Sequence, residues 1–210
     1  MLSFCASYLA DILLQKCSLD SSRKAVYVYG LELLISTLTS ALSILIFSVL
    51  FSELRDGIIF LLVFVGLRLF CGEYHAETYG RCFLSSNVTF LAVLFFTIII
   101  SHTQNFAFII VPTIFANFII LRFSPVHNPR HPLSNKVFQK NKRMGRLLLI
   151  LIDLTVAAGY FLDSSIWISS VISLSETAVA VLILIPVLRE RRMQNVKGLV
   201  CNRFPCRKHR

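Results

Sequence analysis

The chain has 210 residues, 56% of them hydrophobic and 15% charged, with a formal net charge of +10 at pH 7. A soluble domain carries roughly 25% charge, so an ordinary cytosolic globule is excluded, and eighteen Phe against eight Gly and six Pro exclude disorder and collagen-like repeats. What remains is an all-α integral membrane protein with a single polytopic domain, in which the basic surplus reflects topology rather than nucleic-acid binding.

At the start of the chain, Leu2, Cys5, Leu9, Ile12 and Leu13 recur at helical spacing with Asp11, Gln15 and Lys16 between them. This predicts an amphipathic helix lying in the inner membrane interface within residues 1–24. No basic residue precedes the apolar run, which argues against a cleavable signal peptide. Six apolar stretches follow, at 31–52, 57–71, 83–101, 106–123, 147–163 and 166–188, and a basic tail closes the chain over 189–210. A transmembrane helix needs roughly 20 mostly apolar residues, because lipid satisfies no backbone hydrogen bond. The second stretch is the weakest, since its clean run from Gly57 to Leu67 ends at Arg68.

Lys and Arg placement orients the spans. With the N-terminus inside and six alternating spans, 20 of the 21 basic residues face the cytoplasm and Arg55 alone faces out. The prediction is six transmembrane helices with both ends inside. The longest polar interruption, Ser124–Arg146, carries Arg122 at its entrance, then Lys136, Lys140, Lys142, Arg143 and Arg146, without one acid. It reads either as an anchor on the anionic headgroups of the inner leaflet, at about 1 kcal/mol per basic residue, or as a docking surface for an acidic peptide or protein.

Between the second and third spans, residues 68–82 gather a His, two Cys, two Glu, two Tyr and two Arg at the membrane boundary. Polar clusters beside lipid are costly and mark functional sites. His75 and Cys82 have the residue types of a general base and a nucleophile. On a straight helix, seven residues span about 10.5 Å, too far for proton transfer, so cooperation requires a bend. Gly72 and Gly80 are permissive places for one. The bland alternative is a boundary His among headgroups and a buried Cys acting as a small hydrophobe.

The run Arg68, Gly72, His75, Ala76 and Cys82 resembles the signature of the accessory gene regulator B family of bacterial membrane endopeptidases, which process quorum-sensing peptide precursors. Pro125, Pro132 and the Lys/Arg cluster after them resemble the family's basic inner loop. One departure is Glu73, which stands where the second Gly of the motif usually lies; it either alters the bend or helps orient the imidazole. The resemblance implies a cysteine endopeptidase on the cytoplasmic side of the bacterial cytoplasmic membrane, with Cys82 as nucleophile and His75 as base. Its substrate would be an AgrD-type precursor, converted through a thioester to a thiolactone or lactone. It implies no metal and no cofactor. It also brings the family's habit of pairing as homodimers, for which this sequence offers no GxxxG motif.

Supporting roles are assigned more broadly. Backbone N–H groups near Cys82, or the hydroxyls of Ser85 and Ser86, would stabilise the oxyanion, the hydroxyls serving otherwise as helix-packing groups. Arg68 and Arg81 would hold a substrate carboxylate or meet headgroups. Glu32, Asp153 and Glu176 lie in or at spans, and Asp153 is at a depth from which it would orient His75. Cys201, Cys206 and His209 do not form a metal site, because a fourth ligand is missing and Arg207 and Lys208 repel a cation. Two other readings stay open: a small proton- or solute-coupled permease lined by Asp153, Glu176 and His75, and a non-catalytic membrane scaffold.

Overall fold

The structure, a computed structural model, describes residues 2–17, 20, 22, 24–71, 79–103, 105–126, 134–161 and 166–203. Its regular elements are all helices: α1 (Leu2–Cys17), α2 (Lys24–Leu50), α3 (Leu54–Cys71), α4 (Tyr79–Thr103), α5 (Ala107–Phe123), α6 (Asn135–Phe161) and α7 (Ile166–Arg203). The expected all-α class holds, and α2 to α7 coincide in order with the six apolar stretches. Among the described residues, three segments are long and apolar enough to cross a membrane: Lys24–Leu50, Gly80–Thr103 and Ile166–Arg189. The others fall short for identifiable reasons. The 18 residues of α3 include Arg55, Asp56 and Arg68. The 17 residues of α5 make about 26 Å of helix against a hydrocarbon core of roughly 30 Å. In α6 the first three turns are basic and only the remainder is apolar.

Two boundaries differ from the sequence reading. The second half of the basic interruption is helical and opens α6. Ser134 starts it: its carbonyl accepts from the Phe138 N–H at 2.9 Å and its hydroxyl lies 3.5 Å from the Val137 N–H. The Lys, Arg and Gln that follow are straight-chain residues that lose little rotamer freedom in a helix. The tail beginning at 189 likewise continues α7 as far as Arg203.

The chain divides into two compact units, Met1–Ile58 with His75–Leu91, and Ile59–Tyr74 with Ala92–Arg210. In the first, α1 packs on α2 through Ala6 and Ala10, both fully buried, and Asp11 pairs with Lys24 at 2.6 Å. The apolar Phe4, Tyr8, Leu9 and Leu13 of α1 stay exposed, as a helix at a lipid interface requires. Along α2 a stripe of Ser36, Ser40, Ile44 and Ser48 is buried, and Ser43 bonds Asn87 of α4 at 2.9 Å. After α2 the chain reverses at Ser52 (φ 61°), and a Cβ added to Gly57 would collide with the Ser48 side chain. Gly57 thus permits the close approach of α3 to α2.

In the second unit, α7 packs against α5 and α6. Its core includes Phe60, Phe64 and Leu67 of α3, Ile109 and Ala116 of α5, Leu149 of α6, and Val171, Val179 and Ile183 of α7. Pro112 leaves α5 one backbone donor short. Nearby, the hydroxyls of Thr113 and Ser173 both reach the Ile109 carbonyl, at 2.9 Å each, and Thr113 bonds Ser173 at 2.8 Å. Neighbouring hydroxyls are the usual support for such a break in lipid.

Side chains are arranged inside out. Leu38 and Leu42 of α2 are each 60% exposed while Ser48 is fully buried, and Phe118 of α5 is 66% exposed while Ala116 is buried. Large apolar faces of this kind would drive aggregation in water. In lipid they cost nothing, and small or hydroxyl residues at the helix interfaces let backbones approach.

Candidate functional site

Cys82 is the fourth residue of α4 and therefore lies in its first turn. It is half-buried and not in a disulfide, its carbonyl accepts from the Ser85 hydroxyl at 3.0 Å, and Ser86 is buried. The first turn of a helix presents unpaired N–H groups and partial positive charge, an environment that favours an anion. Arg81 beside it is exposed, and Gly80 lies inside the helix, where an added Cβ would meet nothing within 4 Å. Helix α4 has therefore begun by Tyr79. Gly72, Glu73 and His75 lie outside the described residues.

The chain enters that segment from the last turn of α3. There Arg68 stacks over the Phe64 ring, 5.8 Å from its centroid, and Cys71 is buried and not in a disulfide. The Cys71 carbonyl accepts the Val126 N–H at 3.0 Å and the Ser124 hydroxyl at 3.3 Å. From the other side comes Gly145 of α6, where an added Cβ would lie 3.5 Å from both the Cys71 sulfur and the Phe70 Cβ. The last carbonyls of a helix have no partner within it, so these two bonds replace what α3 lacks at its end.

The basic residues lie on the same stretch of chain. Arg122 ends α5 over the Phe123 ring, 5.6 Å from its centroid. On α6, Lys136, Lys140 and Arg143 recur at helical spacing and are exposed with Arg146, while Lys142 is half-buried. Among the described residues none of these has an acidic partner within ion-pair distance.

Asp153 lies on α6 and accepts from the Asn117 side chain of α5 at 2.8 Å. It lines a cavity of about 250 Å³ with Thr113 and the apolar Phe106, Ile109, Ile114 and Val156. Glu176 of α7 is fully buried, and neither carboxylate oxygen has a hydrogen-bond partner among the described residues. Sequence reasoning singled out both acids and missed Asn117. It also missed Ser124, Val126 and Gly145. The one available signal was a glycine in an otherwise helix-favouring basic run, which calls for a packing reason.

Residues 6–185 match the family described as Accessory gene regulator B. The chain belongs to that family. Among AgrB-family relatives, a Clostridium perfringens (strain SM101 / Type A) protein named only as AgrB-like is 30% identical over 142 residues, covering 65% of this chain and 66% of its own length. A second AgrB-like protein, from Clostridium perfringens (strain 13 / Type A), is 27% identical over 164 residues, covering 74% of this chain and 75% of its own. No solved structure matches the chain. AgrB membership and the apolar helices together make this a membrane protein with a role in the accessory gene regulator system.

Proposed function

We propose that this chain is a multi-pass cysteine endopeptidase of the bacterial cytoplasmic membrane, with six spans, both ends inside and its active site on the cytoplasmic side. It removes the C-terminal tail of an AgrD-type precursor and closes the remaining peptide into a ring. The observation that carries the reading is Cys82: a half-buried thiol outside any disulfide, in the first turn of α4 and seven residues after a His, in an AgrB-family chain.

His75 takes the thiol proton, and the Cys82 sulfur attacks the carbonyl carbon of the scissile peptide bond. N–H groups at the start of α4 stabilise the resulting oxyanion. The C–N bond breaks, the tail's new amine takes the proton from His75, and a thioester remains on Cys82. An internal Cys thiol of the precursor then attacks the thioester carbonyl, its proton returns to Cys82, and a thiolactone is released; a Ser would give a lactone. Thioester exchange is nearly isoenergetic, so ring closure needs only that water be kept out. The exposed basic face of α6 serves as the dock for the precursor's acidic tail, and the bilayer's anionic inner leaflet holds the same face at the surface.

The test is co-production with the precursor and mass measurement of the peptide. Loss of the tail and of one water marks cleavage with cyclisation. Cys82→Ala and His75→Ala each abolish both at unchanged membrane abundance; cleavage surviving in either sinks the mechanism. A second reading, a proton- or solute-coupled permease, draws on Glu176, whose buried carboxylate has no hydrogen-bond partner among the described residues and suits reversible binding of a cation. It predicts loss of function in Glu176→Gln, whereas the peptidase keeps its cleavage in that variant.

A further inference from the structure

A buried carboxylate persists only when it is paired, hydrogen-bonded or bound to a metal ion. Glu176 is fully buried, and among the described residues its two oxygens have no hydrogen-bond partner. What it faces follows from contacts within the second unit, to which α5, α6 and α7 all belong. Asn117 bonds Asp153, and in the cavity beside them Phe106 and Ile109 meet Val156 and Ala157. Residues before Asn117 thus lie against residues after Asp153, so α5 and α6 run antiparallel. Only residues 162–165 separate α6 from α7, which makes the two an antiparallel hairpin, with α7 parallel to α5. The Thr113–Ser173 bond sets the level of that parallel pair. Asn117 lies four residues beyond Thr113, about 6 Å along the axis, and Glu176 three beyond Ser173, about 4.5 Å. Side chains three or four residues apart share a helix face. Glu176, Asn117 and Asp153 therefore meet at one level, from three helices.

What meets there is a set of acceptors. Both N–H groups of Asn117 are committed, one to the Thr113 carbonyl at 3.1 Å and one to Asp153 at 2.8 Å. The Asn117 carbonyl oxygen, the second oxygen of Asp153 and both oxygens of Glu176 remain to accept. The nearby hydroxyls of Thr113 and Ser173 both donate to the Ile109 carbonyl. Two carboxylates and an amide oxygen with no donor among them call for a positive charge. We infer that Glu176, Asp153 and Asn117 form a binding site for a small monovalent cation, sodium, between α5, α6 and α7. All-oxygen donors suit a hard cation, whereas calcium takes six to eight oxygens and magnesium a near-ideal octahedron, more than these three side chains supply. The half-buried Asp153 borders the cavity and is the open side of the site; Glu176 is its closed side. Sodium binding is independent of the peptidase chemistry, and it does not require the ion to be carried across the membrane.

The experiment is thermal melting of the full chain in nanodiscs, in sodium chloride against N-methylglucamine chloride at equal ionic strength, with radiolabelled sodium binding measured alongside. A ligand held by the folded state alone raises the melting temperature, here by about 3 °C or more at saturation. Glu176→Gln and Asp153→Asn each weaken sodium binding by about tenfold or more, as loss of a supporting group does at metal sites, and lose the sodium shift. Glu176→Gln also removes an uncompensated buried charge, so without sodium it melts no lower than the parent, which a merely structural carboxylate would not allow. Glu176→Asp keeps the charge and recovers a measurable shift. Glu32→Gln, on α2 in the other unit, keeps the parent response, and so does Cys82→Ala, in which cleavage is lost. A parent that ignores sodium, a shift that N-methylglucamine reproduces, a melt that moves with pH and not with sodium (a proton only), or a full sodium response in both Glu176→Gln and Asp153→Asn overturns the inference.

Discussion

Cys82 and Gly57 show two ways in which one position constrains this chain. Cys82 stands out in the sequence by its residue type and by the family motif it shares with His75, and its proposed role as nucleophile rests on both. Gly57 does not, because the reason for it is Ser48, nine residues earlier on another helix, whose side chain fills the space a Cβ would take. Overpacking of a tight contact costs about 1–3 kcal/mol. Gly57→Ala should therefore lower the melting temperature of the detergent-solubilised protein, and Ser48→Gly in the same chain should recover it. A Gly57→Ala protein as stable as the parent would mean that α3 does not need this approach. Gly80 shows the opposite outcome: the sequence offered it as a bend, yet it sits inside α4 with room for a side chain.

Among the elements, α6 joins two kinds of helix in one rod. Its first three turns are basic with an exposed cationic face, and the remainder is apolar and carries Asp153. The run of Lys and Arg was plain in the sequence, but its being helical was not, since an unbroken polar stretch between spans reads equally as loop. The prolines at 125, 129 and 132 end before Ser134, and helix-favouring residues take over from there. If this face receives the acidic tail, binding is between exposed charges and is screened by salt, the Debye length shrinking from about 10 Å at 0.1 M to 3 Å at 1 M. Precursor affinity, read by titrating the Cys82→Ala protein, should weaken as salt rises. Lys140→Ala with Arg143→Ala should flatten that dependence; an affinity indifferent to salt would remove the docking role.

For the molecule as a whole, the inside-out distribution of side chains is the organising fact. Leucines and phenylalanines face outward from α2 and α5 while Ser36, Ser40, Ser48, Ser173 and Glu176 are buried. The proposed topology can be checked with alkaline phosphatase, which is active only outside the cytoplasmic membrane. Fusions after residues 104 and 164 should be active, and fusions after 130 and 195 inactive; any reversed pair would break the six-span arrangement. Composition, charge placement and apolar run length were enough for helical class and membrane residence, because lipid imposes length and polarity rules that act along the chain. Which small residues let helices meet, that Asn117 answers Asp153, and that Ser124, Val126 and Gly145 hold the end of α3 emerged only once the helices were packed. Such contacts join positions many residues apart, and no periodicity along one helix encodes which face of another will meet it.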